Sequence, residues 1–541
     1  MSENKEREVQ FSIDRLVTNG PRIFGWGWVA HPAHAIEEVA LLLKGDGWEK
    51  RLPSNFGLAR DDVERAFPRL RNAGSSGFMV IGYSLRQPVL TLFLELRFDD
   101  GAGLALDVTH VLESRRVGHR KFRELQWLAR AVWRRLKRGD INGILARAKA
   151  QNYSAPSLDD FDVVARLLPR LRGDRAMAVV FDHNLGGGAN QYRRALIDER
   201  LAGGVAVLLC TYNLPTLDYR LQVFRPGGGE EIYRISSFLG LDRILSKSPV
   251  EEIFLNSPVS FDEPLVFADW ISTMRASHPQ MRLTLAVHDY FSVCPSFVLL
   301  NADGRFCGIP DVGECATCLK RHQARYVALS PPTEIGPWRA LWGRCLQAAD
   351  EVRCFSDSTR QLLLRAYPAL DPSRISVIPH RVDYLPARLP RLDHSSALVI
   401  GILGQISVQK GALLVKEMLG LIDSEHPDVR VVVIGALDIA LKSDRLRVTG
   451  TYRHEDLVEL IEVNGINVFF FPSICPETFS YVTEEMIRLV VPIVAFDLGA
   501  PGERLRSYGN ARLCGEVSAR AALATLVAFH RDLAAKAMPV A

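Results

Sequence analysis

Two series of short, continuous apolar runs constrain this chain more than any other feature. The first comprises Met177–Phe181, Val205–Cys210, Glu252–Leu255, Leu283–Val287 and Val352–Phe355, followed by Ile375–Ile378. The second comprises Leu398–Leu403, Val429–Ile434, Leu446–Val448, Asn467–Phe471 and Ile493–Phe496. Stretches of helical pattern separate the runs. A strand that is apolar at every position is buried on both faces, as in parallel sheets covered by helices on each side. Two such series predict an α/β chain with two doubly wound, Rossmann-like domains, at 176–385 and 396–515. Between them Pro386, Pro390 and charged residues break the pattern.

The chain has 541 residues, more than two such domains need. Residues 8–112 read as an all-β module. Ile23–Val29, Val39–Lys44, Phe78–Leu85, Leu90–Phe98 and Leu104–Val108 are strand-like, and Gly and Asp clusters divide them. A small β-sandwich is expected. In Gly25-Trp26-Gly27-Trp28 the two indoles fall on one strand face, where they either stack on a sugar or fill the sandwich core.

Residues 113–175 read as a basic helical connector, and 516–541 as a C-terminal helix, with Ala519–Ala535 expected to cross back towards the first Rossmann domain. Residues 114–150 hold twelve Lys or Arg against two acids, a net +10 in a chain whose formal charge is only +4. Phe122, Leu125, Leu128, Val132, Trp133 and Leu136 recur there at helical spacing. Such a helix at 115–138 suits peripheral contact with an anionic membrane, or packs its apolar face on a neighbouring domain. The near-neutral total argues against a nucleic-acid partner. With 48% hydrophobic and 24% charged residues the chain is not mainly disordered, and nine Cys are too few for a disulfide scaffold. The polar N-terminus and the lack of an apolar run of ~18 residues predict a cytoplasmic protein, at the inner face of the membrane if the basic helix docks there.

Three pieces of the second series carry chemistry. Its first strand opens into Gly404-Gln405-Ile406-Ser407-Val408-Gln409-Lys410-Gly411, a turn before a helix with a Lys beside it, which suits a phosphate. Phe471-Pro472-Ser473 ends another strand. The loop Pro476-Glu477-Thr478-Phe479-Ser480-Tyr481 follows, and a helix continues through Glu485. Backbone N–H groups of Thr478 to Tyr481 at that helix start can hold an anion, and a carboxylate two turns in can accept hydrogen bonds from a ribose diol. Pro492–Ala500 is a buried strand opening into a small-residue loop ahead of Glu503. Elsewhere, Cys294, Cys307, Cys315 and Cys318 lie within 25 residues at C-x12-C-x7-C-x2-C spacing. That pattern suggests a closed four-thiolate site, with structural zinc the first choice and an iron–sulfur cluster the second; two disulfides or unpaired thiols are the alternative.

Together the three pieces resemble the donor domain of retaining GT-B glycosyltransferases of family 4, whose pattern is G-x(5)-KG, then PS…E-x7-E, then G-x-P-V-V…G. The resemblance spans roughly residues 176–535. It implies that Lys410 contacts the diphosphate of a nucleotide sugar, with Gln405 where the family often has Arg. Glu485 would hold the ribose and Glu477 would lie near the donor sugar. Thr478, Phe479 and Ser480 would line the phosphate site. Gly186, Gly187 and Gly188 resemble the loop that lets backbone approach the donor phosphate, and His288 matches a His that faces the interdomain cleft. A similar run of cysteines after His-Asp-Tyr occurs in relatives of this group. The implied activity is hexosyl transfer with retention, from a nucleotide diphosphate sugar to a carbohydrate or lipid-linked saccharide of surface polysaccharide synthesis. No Asp-x-Asp motif stands in a suitable loop, so no catalytic metal is expected. Alternatives are a non-catalytic sugar-binding or scaffolding subunit and a GT-B sugar-nucleotide 2-epimerase.

Overall fold

The computed structural model describes residues 8–19, 22–58, 60–83, 89, 91–115, 158–171, 176–322, 334–439, 441 and 443–537. The N-terminal module is a β-sandwich. One sheet orders its strands 55–58, 77–83, 22–30, 10–19, 113–115, and the other 48–53, 36–45, 91–98, 103–107. All pairings are antiparallel except that of 113–115 with 10–19. Alternating inward side chains, among them Leu16, Ile23, Val39, Leu41, Val80, Leu94 and Phe98, fill the space between the sheets. The two indoles are not part of that core. Trp28 is buried on the outer face beside Val63 and Leu70, with Phe67 5.3 Å away, and Trp26 on the same face is 46% exposed.

The first Rossmann-like sheet has eight strands in the order 230–235, 218–224, 206–213, 177–183, 250–255, 282–286, 351–354, 375–377. It is parallel apart from the strands 218–224 and 230–235, which extend one edge in antiparallel fashion. The second has six parallel strands in the order 446–448, 430–437, 399–406, 468–471, 493–496, 511–514. In each sheet the first strand in sequence lies inside the sheet, between strands reached in opposite directions. Ligands bind outside the carboxyl ends of strands at such reversals. Two doubly wound domains of this kind make the GT-B fold.

Two expectations about boundaries are corrected. Residues 113–175 are not one connector: 113–115 complete a sandwich sheet, and the helix Leu158–Leu171 buries Val163, Val164, Leu167 and Leu171 in the first Rossmann core. The intervening basic residues 116–157 lie outside the described residues, and with them nearly all of the expected membrane-docking helix. The helix Ala519–Ala537 does not return to the first domain. Its Ala519, Ala522, Leu523, Leu526 and Phe529 close the core of the second, and Arg520 pairs with Glu425 at 2.8 Å. Its apolar stripe meets the exposed flank of the sheet it has just left. Among the described residues no helix is long and apolar enough to cross a membrane.

The sandwich is fixed to the first Rossmann domain through a buried charge network. Arg22 Nη1 lies 2.8 Å from Asp262 and Nη2 lies 3.3 Å from Glu263, with the Arg22 and Asp262 side chains only 5% and 4% exposed. Asn19 Nδ2 donates to Leu217 O at 2.7 Å. Val17 and Phe24 join the Rossmann core itself. Removing one partner leaves the other charge buried. Arg22→Met is therefore expected to destabilise the docked module by about 3–5 kcal/mol. A lower denaturation midpoint and faster proteolytic release of the module would register it.

Candidate functional site

The carboxyl ends of the two sheets face each other, and close backbone approaches hold them together. After the strand Met177–His183 the chain turns through Gly186 and Gly187, both at positive φ, and enters the helix Gly188–Ala202. A Cβ on Gly188 would come within 2.7 Å of the Tyr481 ring in the opposite domain, so only glycine fits there. Asn190 Oδ1 accepts from Gly186 N–H at 2.7 Å, while its Nδ2 donates to Asp182 and to His183 O. Arg193 donates to the same Asp182 carboxylate at 2.9 Å. Burial nevertheless raises Asp182 to about 6, because desolvation outweighs that ion pair.

In the second domain the loop after strand 399–406 ends at Gly411, whose φ of 90° and approach to Pro472 O, where a Cβ would stand 2.1 Å away, exclude any side chain. This packs the loop carrying Lys410 against the loop carrying Glu477. Lys410 Nζ lies 3.7 Å from Glu477 Oε1, a buried oxygen with no hydrogen-bond partner among the described residues. Gln405 is exposed and donates its amide to Asp438 Oδ1 at 2.5 Å. Thr478 Oγ1 donates to His288 O across the cleft at 2.8 Å. Ser480 caps the helix Tyr481–Arg488 by accepting from Thr483 N–H. The backbone N–H groups of Thr478, Phe479 and Ser480 donate to no group among the described residues.

Glu485 lies about one turn into the helix Tyr481–Arg488, not the two turns expected, and is 2% exposed. Its Oε1 accepts from Tyr384 Oη at 2.5 Å and has His454 Nδ1 at 3.5 Å; its Oε2 is buried with no partner among the described residues. Burial raises its pKa, against the lowering effects of Tyr384 and His454. An orphaned carboxylate oxygen this deeply buried is costly unless something else hydrogen-bonds it.

His288 is held between the domains, with Nε2 on Asn256 Oδ1 at 2.9 Å and its ring stacked on Phe355 at 4.4 Å. His380 stacks on the same phenyl at 4.0 Å, and Tyr192, Phe479 and Tyr481 complete an aromatic cluster at the domain junction. Desolvation holds both histidines neutral: His288 falls well below its usual range and His380 to about 3. Below pH 6.5 the unfolded chain takes up a proton at His380 that the folded chain refuses until about pH 3, so stability is lost as pH falls through that window. From pH 7 to pH 5 the loss is on the order of 2 kcal/mol. Thermal melts at the two pH values would show it, with a shallower slope in His380→Phe.

The structure thus gathers Lys410, Glu477, Glu485, Thr478, Phe479, Ser480, the Gly186–Gly188 turn and His288 at one interdomain cleft. Reading the sequence missed Tyr384, His454, Asn256, His380 and Phe355. It also missed a contact beside the cleft, in which Glu503 accepts from the N–H groups of Asp357 and Ser358 in the opposite domain. Tyr384 lies in the Pro-broken linker and carries no pattern.

The four cysteines of the expected site lie near one another: Cys294 feels the Cys307 and Cys315 thiols, and Cys307 and Cys315 feel that of Cys318. All nine cysteines are free, and no three of Cys294, Cys307, Cys315 and Cys318 bring their sulfurs within 4.8 Å of one another. Cys315 Sγ faces Pro310 O at 3.7 Å and accepts from Arg339 at 3.4 Å, and burial pushes Cys294 up to about 12, as a neutral thiol. Among the described residues the only three ligand-capable groups that converge are His34, Asp99 and Asp100 on the sandwich, and Asp99 is already paired with Arg71.

Residues 397–531 match the family model described as glycosyl transferases group 1. Two curated relatives align with part of the chain. The phosphatidylinositol N-acetylglucosaminyltransferase gpi3 subunit of Schizosaccharomyces pombe is 29% identical over 173 residues, and the alpha-maltose-1-phosphate synthase of Mycolicibacterium smegmatis is 28% identical over 180. The aligned stretches cover 29% and 28% of this chain and only 36% and 45% of those relatives. Among solved structures, a sucrose-phosphate synthase from Thermosynechococcus elongatus aligns over 66% of this chain and 92% of its own, at 15% identity and a TM-score of 0.43. Anabaena HepE in complex with UDP aligns over 67% and 95%, at 14% identity and a TM-score of 0.39.

Proposed function

We propose that this chain, a GT-B glycosyltransferase whose C-terminal domain belongs to the group 1 glycosyl transferases, moves a hexosyl group from a nucleotide diphosphate sugar to a saccharide acceptor with retention of anomeric configuration. The observation that carries the reading is the pair of unsatisfied sites in one cleft. Among the described residues, Glu485 Oε2 is an acceptor without a donor, and the N–H groups of Thr478 to Ser480 are donors without an acceptor. A nucleotide sugar supplies both partners, ribose hydroxyls to the first and phosphate oxygens to the second.

In this reading the barrier is departure of the diphosphate from an oxocarbenium-like carbon. Lys410 and the loop amides stabilise the charge that develops on the leaving group. Glu477, held beside Lys410, faces the donor sugar. The neutral His288, fixed by Asn256, orients sugar or acceptor hydroxyls without adding charge. The leaving phosphate accepts the acceptor proton. Closure of the two domains excludes water from the activated sugar. The acceptor we favour is a lipid-linked or free saccharide of a surface polysaccharide, with residues 115–138 supplying peripheral membrane contact. Salt-sensitive vesicle co-sedimentation, lost on deletion of 115–138, tests that contact; sedimentation insensitive to both changes contradicts it.

One observation favours a non-catalytic, sugar-binding role instead: Gln405 stands where the family often has a cation, and its amide is already engaged by Asp438. Product analysis separates the readings. Nucleotide sugars are incubated with and without saccharide acceptors, and products are resolved by mass and anomeric NMR. A new α- or β-glycoside matching the donor's anomer supports the proposal. An epimerised nucleotide sugar without acceptor, or no turnover with any donor, contradicts it.

A further inference from the structure

A cavity apart from the interdomain cleft lies between the β-sandwich and the second Rossmann domain. Its volume is about 360 Å³, within the range of small-molecule sites, which favour domain boundaries. Glu37, Phe56, Arg71 and Asn72 line it from the sandwich, and Leu413 and Lys416 from the helix that begins directly after Gly411. An antiparallel bridge between Leu58 and Ile439 joins the two walls at the edge strand of the sandwich.

We infer that this cavity binds a neutral saccharide. The lining mixes hydrogen-bonding side chains with apolar faces, which matches the hydroxyls and C–H faces of a sugar ring. Its charges are balanced. Glu37 opposes Lys416, and Arg71 is neutralised by Asp99 at 3.1 Å. A nucleotide or free phosphate would find no net attraction there. One detail argues for a used surface: Leu413 keeps 42% of its surface exposed on an otherwise well-packed helix turn. Asn72, on the opposite wall, caps the short turn Ala73–Ser75. Because the helix carrying Leu413 and Lys416 starts beside Lys410, a saccharide seated here lies close to the donor loop. It would keep a growing chain on the enzyme between transfers.

The inference stands apart from the donor-site reading and is tested by binding alone. The full chain is titrated calorimetrically with neutral tri- to hexasaccharides of the malto-, cello-, laminari- and chito- series. At least one series is expected to bind with a Kd of about 1 mM or tighter. Leu413→Arg, which fills the cavity from an exposed position, and Asn72→Ala are each expected to weaken it about tenfold or more. Glu485→Gln is expected to leave it unchanged. Melting temperatures of the variants check folding. Binding by none of the four series overturns the inference, as does binding that Glu485→Gln abolishes and the cavity variants leave intact.

Discussion

Glu485→Ala is expected to weaken nucleotide-sugar binding roughly 10- to 100-fold, with little loss of stability. Hydrogen bonds to a charged group contribute about 1.5–3 kcal/mol each, and Glu485 Oε2 makes none within the described protein. Removing the carboxylate therefore costs the ligand a partner, while the protein loses the Tyr384 bond, the contact with His454 and a costly buried charge. The effect should fall on the donor KM and on the affinity for the free nucleoside diphosphate alike, since the ribose is common to both. Acidification should mimic it partially. Burial raises the Glu485 pKa, so donor affinity falls as pH drops and the carboxylate gains a proton, earlier than an exposed glutamate would allow. Calorimetric titration of the diphosphate across pH, in wild type and Glu485→Gln, measures this directly; Gln should flatten the profile.

Lys410→Ala is expected to act on the other kinetic constant. The ammonium is only half-buried beside Glu477 and holds no structural hydrogen bond, so folding should survive its loss. Its charge is most valuable when negative charge builds on the departing diphosphate, which predicts a fall in kcat of about 10²- to 10³-fold with a smaller change in donor KM. Lys410→Arg should restore part of the rate. A mutant in which KM rises and kcat is untouched would place Lys410 in ground-state binding alone.

Much of this site was legible in the linear sequence, for a physical reason. Lys410, Glu477 and Glu485 lie on strand–loop–helix units, and a parallel strand that is apolar throughout announces where its carboxyl end must be. The hairpin strands Asp218–Phe224 and Glu230–Ile235 escaped notice because they alternate polar and apolar residues, as does the sandwich strand Gln10–Asn19. The environment of Glu485 escaped for a different reason. Tyr384 and His454 reach it from a linker and from a separate loop, and no local pattern encodes that meeting. The aromatic cluster around His288 likewise draws on five separate segments. Spacing alone leaves two further features undetermined. The cysteine pattern says nothing of where each sulfur points, and Arg339 and the Pro310 carbonyl engage Cys315. The C-terminal helix offers an alanine- and leucine-rich stripe that fits either domain, and it covers the sheet nearest to it.

The central claim is that the cleft between the two Rossmann-like domains holds a nucleotide sugar through Glu485 and the loop amides after Glu477. The most direct measurement is thermal stability of the full chain against a panel of nucleoside diphosphates and their sugar conjugates. A ligand that binds the folded state at 100 times its Kd adds roughly 2.7 kcal/mol. At least one nucleotide and its sugar conjugates are expected to raise the melting temperature, and Glu485→Ala to erase the shift. A panel in which no nucleotide shifts the wild type, or in which Glu485→Ala shifts as fully as the wild type, would contradict the claim.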